Sequence, residues 1–457
     1  MSVFEQLEAL SPLLETTPEK AVPALQSLSQ SYPKQPEVWF SLGNACSLAK
    51  NFGAAKKAYL KACALAPHWY PPFFNLGLLY YEHHEPKKAS ARFRKAISLN
   101  PGFAMGHTTL STLYKESCQL KKALYHAKKA VELDPENVTI RTNFSYLLLT
   151  RGLYDKGWNF YESRFQTNHM LYYPKLSRPR WNGILAPGLR ILVHFEQGLG
   201  DTLQFCRLLR HLAAQNVSVL FRPHGSLFSL MTSSFSDLPI QILRDIPAPE
   251  TFDVHVPLMS LPYLMGITMT KNPVQMPYLK CEPRYGDKFL PYFSGVKKIK
   301  VGLVWHQGIY DVRHFKTNRS FPLKKYVDFL ARPEIQFYGF QKTVSDEEVS
   351  PYVSNGSLIN LGPLFSDFSD TAGAASHLDL LISIDTSVLH LSGGMGIPTW
   401  VLAHKPACWR WLLRRKKCPW YPSVTLFRQK KPLEWDPLLR EVATSLDRFI
   451  ASLSQPD

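Results

Sequence analysis

A solenoid of paired α-helices followed by an α/β region of two Rossmann-like halves facing a cleft is the fold class predicted by this 457-residue sequence. Three observations predict it. Prolines recur at 33, 67, 101 and 135, a constant step of 34 residues, and a fixed period of that size marks repeated helix pairs. From Ile191 onward, short β-branched runs alternate with helical stretches, as parallel strands covered on both faces require. That alternation comes in two series separated by a proline-rich segment at 273–284. The expected limits are 1–165 for the repeats, 166–190 for a connector, 191–290 for the N-terminal half and 291–457 for the C-terminal half with its closing helix.

The repeats come first. Aligned on the proline step, one copy holds Trp39, Leu42, Gly43, Ala55, Tyr59 and Ala62, and the next holds Phe73, Leu76, Gly77, Tyr80, Ala89, Phe93 and Ala96. The third keeps Leu110, Tyr114, Ala123, Ala127 and Ala130. This resembles the tetratricopeptide (TPR) pattern. Gly43 and Gly77, with Ala55 and Ala89 opposite, let two helices approach closely, and the large aromatic residues fill the gaps between pairs. Each proline closes a second helix, because helical geometry is disfavoured at the residue before it. Residues 2–33 keep only a second-helix half (Ala21, Leu25, Leu28), as a capping repeat would, and 138–165 drift, with Phe144, Gly157-Trp158 and Tyr161. A TPR array carries no chemistry of its own, so a protein partner is expected on it. Its lysines (56, 57, 87, 88, 121, 122, 128 and 129) read as a solvated helix face or as contacts to an acidic peptide or phospholipid.

Composition narrows the partners. Fifty-three Lys and Arg against 36 Asp and Glu leave a net charge of +17, which favours anionic partners. Nothing in the sequence suggests a recognition helix, an RNP-like motif or a zinc module, so nucleic acid is not expected. Seven scattered cysteines without a C-x-x-C pair speak against a disulfide framework and a zinc ribbon alike. The acidic N-terminus does not resemble a secretory signal, and no run approaches about 18 uninterrupted apolar residues. A cytoplasmic protein is expected, with peripheral contact with the acidic inner face of the membrane as a further expectation.

Three segments of the α/β region carry the chemistry. In the first, a strand at 191–195 runs into Glu196-Gln197-Gly198-Leu199-Gly200-Asp201-Thr202 and a helix from about 201. The glycines permit a tight turn and close backbone approach, and free N–H groups at the helix start favour an anion or oxyanion. Neither G-x-G-x-x-G nor a Walker lysine is present, which disfavours dinucleotide and P-loop binding. Asp201 reads as the N-cap of the helix, as a carboxylate that takes a proton from an attacking hydroxyl, or as both.

The second segment follows a strand at 299–305 and gathers His306, Arg313, His314, Lys316 and Arg319 ahead of Pro322, a residue suited to a first helical position. Positive charge beside a helix N-terminus suits a diphosphate; a solvated basic loop is the alternative. In the third, a strand ends at Asp385, and Thr386-Ser387 open a helix that Gly393-Gly394-Met395-Gly396 closes. Hydroxyls and free N–H groups there make a phosphate cradle. Asp385 would repel phosphate, so it is assigned to sugar hydroxyls. His390, one turn in, is either a core histidine or a donor ligand, and the glycines may simply end the helix.

Taken in order, these segments resemble the bacterial heptosyltransferase-like glycosyltransferases, above all their TPR-bearing relatives. The resemblance extends to PRWNG (179–183), FSDTAG (368–373), WRWLL (409–413), PWYPS (419–423) and LFRQ (426–429), and covers roughly residues 36–430. It implies a GT-B fold, with the acceptor on the first half and a nucleotide-sugar on the second. Asp201 would be the general base. Arg319, in whose place heptosyltransferases proper carry Lys, would hold the diphosphate with Lys316. Asp385, Thr386, Ser387 and His390 would complete the donor site, and Gln197, Gly198, Gly200 and Thr202 would form the acceptor-side turn. The implied reaction is inverting and metal-independent, with no metal site and no cofactor beyond the nucleotide-diphosphate sugar as co-substrate; the sequence has no Asp-x-Asp. The acceptor would be a protein or a cell-envelope glycan. The alternative is a catalytically inactive TPR scaffold.

Overall fold

The computed structural model describes residues 2–166, 174–268, 270–271, 276–307, 319–413 and 415–453. The chain forms two compact units, Met1–Leu147 and Leu148–Asp457.

The first unit is a helical TPR-type array. Its pairs are α1 (Val3–Thr16) with α2 (Pro18–Ser31), α3 (Pro36–Leu48) with α4 (Phe52–Leu65), α5 (Tyr70–Glu82) with α6 (Pro86–Leu99), and α7 (Ala104–Glu116) with α8 (Leu120–Leu133). A further helix, α9 (Val138–Thr150), follows. The capping repeat differs from the half motif expected: α1 is a complete helix held by a Ser2–Glu5 capping box, though none of its residues is buried.

Glycine and aromatic ring are matched within each pair. A Cβ on Gly43 would lie 2.5 Å from the Tyr59 ring, and one on Gly77 would lie 2.6 Å from Phe93. In the third copy the ring is replaced by Ala127 and the glycine by Ser111, whose hydroxyl donates to the Ala123 carbonyl at 2.8 Å. The smaller partner leaves room for the larger residue, so close packing survives a change of chemistry. Several of the lysines lie over rings. Lys56 and Lys88 sit 5.7 and 5.5 Å from the Tyr80 ring centre, and Lys122 sits 5.4 Å from that of Tyr114.

The second unit begins with α10 (Tyr154–Tyr161) and contains two parallel sheets. The first comprises β1 (Arg190–His194), β2 (Ser218–Arg222), β3 (Ile240–Ile242) and β4 (Val254–Pro257), ordered β3-β2-β1-β4. The second comprises β5 (Ile299–Val304), β6 (Ile335–Gly339), β7 (Leu358–Asn360), β8 (Leu380–Ile384), β9 (Thr399–Ala403) and β10 (Val424–Arg428). Its order is β10-β9-β8-β5-β6-β7. Both orders reverse at the sheet's first strand, as in doubly wound folds, where ligands bind beyond the C-terminal strand ends at the reversal. This is an α/β region of two Rossmann-like halves.

Helices cover both sheets: α11 (Leu199–Phe205), α12 (Arg207–Ala213), α13 (Phe228–Ser234), α14 (Leu261–Leu264) and α15 (Pro283–Phe293) precede β5, and α16 (Val327–Leu330) and α17 (Asp346–Ser354) follow it. Next come α18 (Phe368–Ala375), α19 (Ser387–Gly394) and the closing α20 (Asp436–Leu453). Central strands are apolar because both faces are covered; every residue of β8 is buried. Among the described residues no helix is long and apolar enough to cross a membrane.

Candidate active site

Each sheet delivers its key loop at its reversal point. β1 pairs with β2 on one side and β4 on the other, and it leads into the glycine turn. β5 pairs with β6 and β8, so the segment ending at Arg319 and the segment beginning at Asp385 leave adjacent strands.

These segments meet. A Cβ on Gly200 would lie 2.9 Å from His390 Cδ2 and 3.6 Å from the Ser387 backbone. Helix α11 of the first half therefore rests directly on α19 of the second, and glycine at 200 is what permits the approach. Arg319 Nη1 stands 4.0 Å from Asp385 Oδ2. Burial alone would raise the pKa of Asp385, but Arg319, and after it His390, Trp411 and His404, hold it below the usual carboxylate range. Lys316, Arg313 and His314 lie outside the described residues.

Asp201 is not the N-cap. The helix starts at Leu199 with Gly198 as cap, and Asp201 occupies the third position, where its Oδ2 accepts from the Gly198 N–H at 3.0 Å. A carboxylate one turn in can still satisfy the open N-terminus. Its Oδ1 accepts from Arg410, which reaches across from the 3-10 turn Trp409–Trp411 of the second half. The Arg410 guanidinium also donates to Gln204 Oε1 at 2.6 Å and lies 4.3 Å from the Trp409 ring centre. Burial works against the Arg410 charge, but Asp201, together with Cys408 and Tyr161, raises its pKa above the usual value.

Other expected site residues have structural partners. Gln197 donates through Nε2 to the Tyr161 hydroxyl at 2.5 Å, and its carbonyl contacts His224 Nε2 at 2.7 Å. Thr202 is buried. His390 shares a hydrogen bond with the Tyr421 hydroxyl at 2.8 Å and stacks on Trp411, ring centres 5.5 Å apart. Burial, then Arg410, lowers its pKa to about 3, so it is a neutral packing residue between the halves. Thr386 caps α19 without a side-chain hydrogen bond to it; its hydroxyl lies 3.2 Å from that of Ser383. Ser387 is the first helical residue. The glycines at 393 and 394 do more than end the helix, since Cβ atoms there would meet Tyr421 at 2.8 Å and Leu279 at 2.6 Å.

Sequence reasoning missed one residue that ties the halves together and another that fixes the glycine turn. Arg207 of α12, buried, donates to the Trp420 carbonyl at 2.6 Å and to the Tyr278 hydroxyl at 3.1 Å. Arg164, after α10, forks onto both Glu196 oxygens at 3.1 and 2.8 Å, which fixes the entry to the glycine turn. The signal available was the WRW and PWYPS tail, legible as a pattern but without a role. Among the described residues, no three His, Cys, Asp or Glu side chains gather as metal ligands would.

The chain is similar in part to several known proteins. A tetratricopeptide repeat family model matches residues 36–68. Protein FlbA of Caulobacter vibrioides is 24% identical over 332 residues, 67% of this chain and 54% of its own length; the chain spans about half of that relative. Among solved structures, the glycosyl transferase family 9 protein from Veillonella parvula is 12% identical, covering 60% of this chain and 100% of its own, with a TM-score of 0.46. MamA from Desulfovibrio magneticus is 19% identical and covers 35% of this chain and 92% of its own, with a TM-score of 0.30. The TPR protein YrrB is 19% identical, covering 36% and 85%, with a TM-score of 0.31.

Proposed function

We propose that the α/β unit is a glycosyltransferase that moves a sugar from a nucleotide-diphosphate sugar to a hydroxyl of a protein or cell-envelope glycan, and that the TPR array docks that acceptor or a partner. One observation carries the reading. The glycine turn packs on α19 at Gly200–His390 while Arg319 reaches Asp385, so three segments distant in sequence converge at the C-terminal strand ends.

In this reading the acceptor oxygen attacks the anomeric carbon as the bond to the diphosphate breaks, with inversion. The bonding electrons leave with the nucleoside diphosphate, and the acceptor's proton passes to Asp201. Asp201 retains the capacity: a carboxylate offers about four lone-pair sites, and Gly198 and Arg410 occupy two of them. Its side chain is 19% exposed, so an acceptor can reach it. Arg319 and the N-terminus of α19 would stabilise the charge gathering on the diphosphate. The chemistry needs nothing further from a metal or cofactor.

The Arg410–Asp201 contact also favours a second reading, an inactive scaffold, because a buried arginine gives Asp201 a structural purpose. Asp201→Asn separates the two. Transfer should fall by a factor of about 10² or more, with donor affinity, measured by calorimetry, within twofold of the parent. Retained transfer removes Asp201 from the base role, and a parent protein that binds no nucleotide or nucleotide-sugar favours the scaffold.

A further inference from the structure

Charge is sorted by helix in the first unit. The second helices α4, α6 and α8 hold twelve Lys and Arg against one acidic residue, Glu132. The rest of residues 1–147 holds five against ten. A surface charged only for solubility mixes the two signs; here they are separated. Equivalent places also repeat. Lys61, Lys95 and Lys129 stand 34 residues apart, one in each of these helices, and all three are exposed. Stacked repeats present equivalent residues on the same side, so the three form a row, with Arg94 and Lys128 one position earlier beside it. Local carboxylates answer few of the cations. Lys88 pairs with Glu85, and Lys128 and Lys129 share Glu132. Lys57, Lys61, Lys87 and Lys121 make no ion pair with any described residue.

An exposed ring lies in the middle of this charge. Tyr125 of α8 is 59% exposed, and Lys121, Lys122, Lys128 and Lys129 stand three and four positions to either side of it. That spacing places them around the ring on one helix face. Leu60 of α4, 37% exposed, likewise lies among Lys56, Lys57 and Lys61. Tyrosine joins an apolar body to a polar tip, and such residues settle at the level of lipid headgroups, where lysines also reach. An acidic peptide is served less well. The groove of the array that Asn44 and Asn75 line also carries Glu15 and Glu82 and no cation, so it would repel an acidic chain. We propose that the face formed by α4, α6 and α8 docks on an anionic lipid surface, with the lysine row against the headgroups and Tyr125 at their level. The proposal goes beyond the transferase reading and does not depend on it.

Flotation of the full chain with vesicles tests it, using phosphatidylcholine alone and an equimolar mixture with phosphatidylglycerol. The parent should float with the mixture and not with phosphatidylcholine, and sodium chloride should release it, because such attraction is screened. Each charge at an anionic surface is worth about fivefold in binding. Lys61→Gln, Lys95→Gln and Lys129→Gln together should therefore weaken binding by a factor of about 10². A control triple, Lys20→Gln, Lys34→Gln and Lys297→Gln, removes the same charge from exposed positions outside α4, α6 and α8; it should cost about twofold at most. Tyr125→Ala should weaken binding severalfold at unchanged charge, and Tyr125→Trp should keep it. Equal flotation with both vesicles, no flotation, equal loss in the two triples, or a Tyr125→Ala variant that binds like the parent overturns the surface. So does a parent that takes a polyglutamate peptide and no vesicle, which would make the partner an acidic chain.

Discussion

His390 shows how far a polar residue can be drawn into packing. Its ring is wedged between Gly200 and Trp411, and its Nδ1 is bonded to Tyr421. In the fold it takes a proton only at about pH 3, whereas an unfolded chain does so near 6.5. Between those values the unfolded state holds more protons, so stability is lost as pH falls below about 6.5. At pH 5 the loss from this residue is about 2 kcal/mol. Urea unfolding at pH 7 and pH 5 should show it, and His390→Gln should remove about that much of the pH dependence. Gly200→Ala attacks the same packing from the other side. Its Cβ would press on a ring that cannot yield, and overpacking of this kind costs about 1–3 kcal/mol. A lowered Tm with weakened nucleotide binding is the expected result; an unchanged Tm would show that the helices can separate freely.

The helix pairs were the most legible elements, because their spacing is local. Glycine opposite a ring, repeated at 43/59 and 77/93, is visible in the sequence and is what the packing uses. Gly77→Val should lower the array's thermal stability by about 1–3 kcal/mol, read as a loss of helical signal at lower temperature. The same change at the exposed Gly53, where a Cβ would meet nothing, should cost less than half as much. Strands β1, β2, β5 and β6 were readable from apolar runs. The short edge strand β3 and the tail strand β10 were not, since β3 has three residues and β10 has an exposed Thr425 at its centre. The start of α11 falls two residues earlier than expected, because a side chain that caps from inside the helix looks the same in sequence as one that caps from outside. That is why the cap is one of the readings the sequence allows for Asp201.

The meeting of the two α/β halves was the least legible feature, because its contacts join residues some 200 positions apart. Arg207 with Trp420 and Arg410 with Asp201 are both of this kind. Neither arginine announces itself in sequence, where each is one cation among 53 Lys and Arg. The segments carrying Asp201, Arg319 and Asp385 are readable, since glycine turns and strand ends have local signatures, but their convergence is expected only from the resemblance and from no local signal. Arg207→Met should leave the Trp420 carbonyl and Tyr278 hydroxyl without that donor. A loss of about 2 kcal/mol is expected, with faster proteolysis of the 415–423 segment; unchanged proteolysis would mean that the halves do not depend on it.

Where the halves join, the indoles crowd together. Trp158 of α10 packs edge-on to Trp409 and to Phe205, Trp409 packs against Trp420, and Trp411 lies on His390. Four of the chain's ten tryptophans thus stand at the junction of the halves, beside the proposed donor site. Indole emission responds to such shielding, so a nucleotide seated beside these rings should change the untagged molecule's own fluorescence.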